Sequence, residues 1–227
     1  MNRQMYLMIE RRMLEHMQDV AHDPNHIYRV LYASLDIMNT EPAADRDIVI
    51  AAALLHDIGR DRQAQNPELD HAVVGAQMAA SFLVSIGWSA ACAQHVADCV
   101  RTHRYRTNDV PQSIEARIIF DADKLDATGS MGIARTLLYC GQTGEPIYVL
   151  DDEGPLIADG DGSETNCFVQ EFDWKLRHIY DKFLTARGHE LAQKRRTVAI
   201  HFADELKREI ESYHDHGASI LGAALTD

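Results

Sequence analysis

The sequence lacks several features that would place it in a specialised class of protein. Its 227 residues contain no apolar run long enough for a membrane helix, which needs about 18 to 20 residues. Charges throughout the N-terminal segment MNRQMYLMIERRMLEHM argue against a signal peptide. The four cysteines form no CxxC pair, and we interpret them as buried free thiols. We therefore expect a cytoplasmic protein with no membrane association.

Basic residues are also scarce, which restricts the partners of the protein. There are 22 Lys and Arg residues against 35 Asp and Glu residues, giving a formal net charge of −13. No basic stripe stands out, so we expect no nucleic-acid polymer as the main partner. The negative charge is compatible with a small phosphorylated ligand that is held by a local group of cations. It is also compatible with a homo-oligomer.

The spacing of apolar residues predicts the fold. Apolar positions recur at three- and four-residue intervals nearly everywhere, which predicts an all-α bundle of about eight or nine helices. Residues 141–164 are rich in glycine, and we expect a short irregular or hairpin insertion there. We predict a single domain over residues 1–227, with helices over 167–213 packing on a core that carries the motifs at 20–140.

One short stretch, AAALLHDIGR, interrupts the apolar pattern. The helix predicted over residues 45–58 runs straight into His56 and Asp57, and Gly59 is placed to end it. The polar residues 61–69 that follow are predicted to be loop. A buried carboxylate or imidazolium without a partner costs several kcal/mol, about the scale of the net stability of a domain. Something must therefore compensate the His-Asp pair.

Further polar residues fall on inward helix faces or at helix ends. Including the pair, they are His26, His56, Asp57, His71, His103 and Asp123. A single such residue is usually a hydrogen-bonded core residue, but a shared divalent cation would satisfy all of them together. Mixed His and Asp ligands without cysteine favour Mn²⁺, Mg²⁺, Fe²⁺, Co²⁺ or Zn²⁺ in a site that keeps waters.

Cationic residues stand close to these ligands in the chain. They are Arg29, Arg60, Arg104 and Lys124. Cations around a metal ion suit a phosphate ester, because they neutralise the negative charge of the phosphate that the metal ion leaves uncompensated. The alternative interpretation of each is an ordinary solvated surface charge.

The ordered set of His26, His56–Asp57 and Asp123 resembles the H…HD…D signature of the HD-domain metal-dependent phosphohydrolase superfamily. The resemblance covers roughly residues 20–140 and extends to the segments HDPNHIYRV, AALLHDIGR, THRYRT and DADKLDATGSMGIAR. The C-terminal segment that begins FDWKLRHIYDKF is similar to the tail of a subgroup of small bacterial HD hydrolases. That subgroup includes nucleotide pyrophosphohydrolases.

The resemblance assigns roles to individual residues. It implies that His26, His56, Asp57 and Asp123 are the metal ligands. His71 and His103 would bind a second metal or contact substrate, so that the site holds one ion or two. Asp57 would orient the attacking water, and the candidates to support the ligands are His22, Asp23 and Asp126. The glutamate that some HD nucleotidases carry shortly after the pair is absent, so the general base stays unassigned.

The implied activity is hydrolysis of a phosphoester or phosphoanhydride by a metal-activated water, with a nucleotide as the expected substrate. Two other classes stay open. A few HD proteins use two irons to activate O₂, which would require both His71 and His103 as ligands. An HD domain without catalysis could instead serve as a nucleotide-binding or regulatory module.

Overall fold

The chain is all-α, as the spacing predicts. A computed structural model describes residues 1–16, 24–104, 109–150 and 167–225, and these ranges contain no β-strand. They form ten α-helices and one short 3-10 helix, at Leu176–Asp181. The α-helices, in order from α1 to α10, are Arg3–Leu14, Pro24–Met38, Arg46–Leu55, Arg60–Gln65, His71–Ser85, Ala90–Thr102, Ile114–Leu125, Gly129–Thr143, Phe168–Trp174 and Ala186–Ala224.

Contacts between residues divide the chain into two compact units. The first comprises Met1–Asp126 together with Phe183–Leu191, and the second comprises Ala127–Lys182 together with Ala192–Asp227. All six candidate metal ligands belong to the first unit. That the whole chain forms a single domain stays a prediction.

Helix α3 forms the centre of the first unit. Every residue from Ala51 to Leu55 is fully buried, and α3 packs against α1, α2, α6 and α7. Side-chain caps set where several of these helices begin: the Asp45 carboxylate accepts the amide of Asp47, and Ser113 accepts the amide of Ala116. The apolar run of the sequence is therefore a buried helix, as predicted.

The end of α3 differs from the prediction. The helix stops at Leu55 with His56 as its C-cap, and a second helix, α4, begins at Arg60 in a segment predicted to be loop. Gly59 does not end α3 by a left-handed conformation, because its φ is −88°. A Cβ atom there would lie 2.2 Å from the His71 carbonyl oxygen, so glycine is required for the close approach of α5.

The insertion and the C-terminal helices have boundaries that differ from the predicted ones. Helix α8 runs on to Thr143 and ends at Gly144, whose φ is +77°, so residues 141–143 are helical. Residues 145–150 have no regular structure, and the rest of the insertion lies outside the described residues. Residues 167–184 form α9 and the 3-10 helix in place of one helix, and α10 extends beyond residue 213.

The cysteines follow the prediction with one exception. Cys99, Cys140 and Cys167 are buried free thiols, whereas Cys92 is exposed on the first turn of α6. Burial raises the pKa of the Cys99 thiol to about 12.

In the ranges that the structure describes, no helix combines the length and apolar character needed to cross a bilayer.

Candidate metal centre

The six candidate ligands come from five different helices whose ends converge. His26 lies in the first turn of α2 and Asp123 in the last turn of α7. The other four stand at helix ends: His56 and His103 are the C-caps of α3 and α6, Asp57 follows His56, and His71 opens α5. Neighbouring residues such as His56 and Asp57 can face one point because the helix has already ended there.

Three side chains form the first cluster, which contains His26, His56 and Asp123. The Nε2 atom of His26 lies 3.3 Å from Nε2 of His56 and 3.5 Å from Oδ1 of Asp123. The Oδ2 atom of Asp57 lies 3.6 Å from both imidazole nitrogens. The structure therefore brings together the four residues that the HD signature singled out.

A second cluster contains Asp57, His71 and His103. The other carboxylate oxygen of Asp57, Oδ1, lies 3.4 Å from Nε2 of His71 and 3.5 Å from Nε2 of His103. Asp57 Oδ1 and His71 Nε2 are buried and have no hydrogen-bond partner among the described residues. Such atoms are costly unless a cation satisfies them, so both clusters fit a divalent ion, with Asp57 shared between them.

The hydrogen bonds of the histidines fix which nitrogen faces the clusters. Nδ1 of His56 donates to the Ala53 carbonyl oxygen at 2.8 Å, and Nδ1 of His103 donates to the Val100 carbonyl oxygen at 2.6 Å. A carbonyl oxygen only accepts, so the proton sits on Nδ1 in both rings. Nε2 of each ring therefore faces the clusters and is the nitrogen that would bind a metal ion.

Side chains hold the other two rings. Nδ1 of His26 is 2.7 Å from Oδ2 of Asp126, and Nδ1 of His71 is 2.6 Å from Oε1 of Gln63. Asp126 thus holds a ligand ring, as the sequence predicted for a supporting residue. The other two candidates, His22 and Asp23, lie outside the described residues. Gln63 was missed because its helix, α4, was predicted to be loop.

Burial and charge set the protonation of the site. Burial lowers the pKa of both His56 and His71 to about 4, so these rings are neutral at pH 7. Burial opposes the charged form of Asp57, yet Arg60 and the surrounding histidines hold the pKa of Asp57 well below its usual range. Burial opposes the charged form of His26, yet the hydrogen bond to Asp126 and the nearby Asp57 raise the pKa of His26. The site at neutral pH therefore offers neutral rings at His56 and His71 and an ionised carboxylate at Asp57.

Each of the four side chains predicted to bind phosphate contacts a neighbouring side chain. Arg29 forms a two-point ion pair with Asp126, at 2.6 and 2.9 Å. Arg60 donates from Nε to Oδ2 of Asp57 at 2.7 Å. Arg104 pairs with Asp70 at 3.1 Å, and the buried Lys124 ammonium lies 3.7 Å from the centre of the Phe120 ring.

Exposure shows from which side the centre can be reached. The side chains of the four clustered histidines and Asp57 are at most 2% exposed. The side chain of Asp123 is 25% exposed and that of Arg60 is 29% exposed. The most exposed candidate ligand is therefore Asp123 of the first cluster, and Arg60 bonds the Asp57 oxygen that faces the same cluster.

Comparison with known proteins agrees with this geometry. Residues 25–128 match the HD domain family, a span that includes both clusters. The chain is 30% identical over 194 residues to the uncharacterized protein YpgQ of Bacillus subtilis (strain 168), covering 84% of this chain and 85% of YpgQ. The chain belongs to the HD-domain family.

Solved structures show the same relationship. The crystal structure of Bacillus subtilis YpgQ in complex with ADP matches with a TM-score of 0.70 and 26% identity, over 90% of this chain and 97% of that one. A predicted HD superfamily hydrolase from an uncultured Thermotogales bacterium matches with a TM-score of 0.61 and 27% identity, over 91% and 92% of the two chains.

Proposed function

We propose that the protein is a metal-dependent phosphohydrolase that cleaves a phosphoester or phosphoanhydride bond of a nucleotide. The observation that carries this proposal is the Asp57 carboxylate. One of its oxygens faces His26 and His56, and the other faces His71 and His103. Carboxylates shared in this way are suited to hold two cations close together, the arrangement that two-metal phosphate hydrolysis employs.

A divalent ion bound there would act as a Lewis acid on a phosphoryl oxygen and would lower the pKa of water towards neutrality. The protein supplies orientation and charge. Asp57 and Asp123 are ionised at neutral pH, because the histidines around Asp123 also lower the pKa of that carboxyl against the effect of its burial. They can therefore hold a cation without first losing a proton.

Arg60 is suited to receive the phosphate. A guanidinium carries five N–H donors, and the hydrogen bond to Asp57 uses the one on Nε. Its side chain is partly exposed and bonds the Asp57 oxygen that faces the first cluster. The remaining donors can grip phosphate oxygens in the planar two-point manner that arginine favours.

The substrate class is proposed from the relatives. YpgQ was crystallised in complex with ADP, and it is 30% identical to this chain over most of both lengths. A nucleoside di- or triphosphate would suit the remaining N–H donors of Arg60 together with the divalent ion. We therefore propose a nucleotide substrate, with Mn²⁺, Mg²⁺, Fe²⁺, Co²⁺ or Zn²⁺ as the ion.

Activity measurements would test the proposal. Protein purified without chelator would be screened against nucleotides and simple phosphoesters with Mn²⁺, Mg²⁺ and Co²⁺, beside the His56→Ala/Asp57→Ala variant. His201→Ala, which alters an exposed histidine of α10, is the matched control. We expect hydrolysis by wild type and control but not by the double variant.

Other results would favour the other classes. Nucleotide binding without turnover in wild type, retained in the double variant, would identify a regulatory module. A visible absorption band from two bound irons, with O₂ consumption and no phosphate release, would identify the two-iron oxygenase. Either result would overturn the proposed hydrolase.

A further inference from the structure

A carboxylate near the metal centre holds a distant part of the chain. Asp121 is fully buried and lies on α7, two residues before the candidate ligand Asp123. It accepts hydrogen bonds from the Leu184 amide at 2.8 Å, the Thr185 amide at 2.7 Å and the Thr185 hydroxyl at 2.6 Å. These donors stand immediately before α10, within the Phe183–Leu191 part of the first unit.

The packing around this contact is close. The Thr185 hydroxyl oxygen accepts the Gly188 amide at 3.0 Å and so caps the first turn of α10. A Cβ atom on Gly188 would lie 2.5 Å from Oδ2 of Asp121 and 2.8 Å from the Thr185 hydroxyl oxygen. The turn can approach Asp121 this closely only because residue 188 is glycine.

The same segment also contacts α2. Arg187 forms a two-point ion pair with Asp36, with Nη2 lying 3.2 and 3.0 Å from the two carboxylate oxygens. Residues 184–188 therefore bind to α7 and to α2. These helices carry Asp123 and His26 of the first cluster, whereas His71 and His103 of the second cluster come from α5 and α6.

We propose that residues 184–188, bound to α7 through Thr185–Asp121 and to α2 through Arg187–Asp36, are a positioning device that sets Asp123 of α7 against His26 of α2 in the first metal cluster. The inference rests on the proposed metal centre. A helix transmits a displacement along its axis, and Asp121 and Asp123 are separated by a rise of about 3 Å. Ligand geometry tolerates errors of only about 0.2 to 0.5 Å, so a small shift of α7 would weaken the first cluster.

Substitutions at Thr185 separate positioning from stability. Thr185→Val keeps the shape of the side chain and removes the hydroxyl that bonds Asp121 and caps α10, whereas Thr185→Ser keeps that hydroxyl. The affinity for Mn²⁺ alone would be measured in the full chain by titration, in a His71→Ala background that removes the second cluster. Melting in chelator would be recorded for every variant.

In that background we expect Thr185→Val to weaken Mn²⁺ binding about tenfold, with Thr185→Ser close to the parent. If Thr185→Val lowers the melting temperature in chelator but leaves the Mn²⁺ affinity unchanged, the contact is only structural and the proposal is overturned. If that variant does not fold, Arg187→Met takes its place, and an unchanged affinity there would likewise overturn the proposal.

Different results would overturn the proposed hydrolase function and the proposed positioning role. Tight Mn²⁺ binding by wild type without hydrolysis of any phosphate substrate would overturn the proposed function. Weakened binding by Thr185→Val in that same protein would still support the positioning role.

Discussion

Oδ1 of Asp57 lies 3.4 Å from Nε2 of His71, and neither buried atom has a hydrogen-bond partner among the described residues. Burying such a pair without compensation costs several kcal/mol, which a domain of ordinary stability cannot easily offset. A bound cation would remove that cost, since a carboxylate oxygen and an imidazole lone pair can both coordinate it.

Chelation should therefore destabilise the protein. An ion present at about 100 times its dissociation constant stabilises the folded state by about 2.7 kcal/mol. For a chain of this size that corresponds to a fall in melting temperature of about 5 to 10 °C on removal of the ion. Scanning calorimetry before and after chelator would measure it. An unchanged melt, in protein first shown to contain metal, would contradict the prediction.

Asp126 should control metal affinity without touching the ion. Its carboxylate holds Nδ1 of His26 and is itself held by Arg29. Asp126→Asn keeps the shape but loses the charge, and we expect Mn²⁺ affinity to fall about tenfold. Asp98→Asn, on the exposed side of α6, is the control. Equal affinities for the two variants would show that the His26–Asp126 contact has no part in metal binding.

The stability contributed by Glu115 should depend on pH. Burial opposes its charged form, but the Asp45 amide at 2.9 Å and nearby His95 lower the pKa of Glu115. A carboxylate whose pKa falls on folding stabilises the protein above its unfolded pKa of about 4.3, and loses that effect as pH falls through the folded pKa.

Glu115→Gln should thus lower the free energy of unfolding by about 1 to 2 kcal/mol at pH 7. The difference from wild type should shrink as the pH falls below about 4. Urea denaturation at a series of pH values would measure it, with Glu205→Gln on the exposed side of α10 as control. A difference that is constant with pH would exclude the carboxylate charge as its source.

The four thiols should differ in reactivity. Cys92 is exposed, while the other three are buried and burial raises the pKa of Cys140 to about 11. Since the thiolate is the reactive species, a chromogenic disulfide reagent should titrate one thiol quickly in the folded protein. The Cys92→Ser variant should lose that fast phase. Rapid reaction of a second thiol would show that a buried region opens easily.

The sequence was informative where apolar residues recur at helical spacing and where histidine and aspartate follow one another in a fixed order. Spacing predicted the helices, and the ordered set of His26, His56–Asp57 and Asp123 predicted the first cluster. Gly59 was misread because its requirement comes from the distant His71 carbonyl. Asp121 carried no local signal at all, since the donors it binds lie more than 60 residues later in the chain.

The most direct test is elemental analysis of protein purified without chelator, with wild type beside His71→Ala and His56→Ala/Asp57→Ala. We predict about two equivalents of divalent metal in wild type, about one in His71→Ala and none in the double variant. Wild-type protein that contains no metal, and takes up none when Mn²⁺, Mg²⁺ or Co²⁺ is added, would contradict the claim that an ion compensates the His56–Asp57 pair.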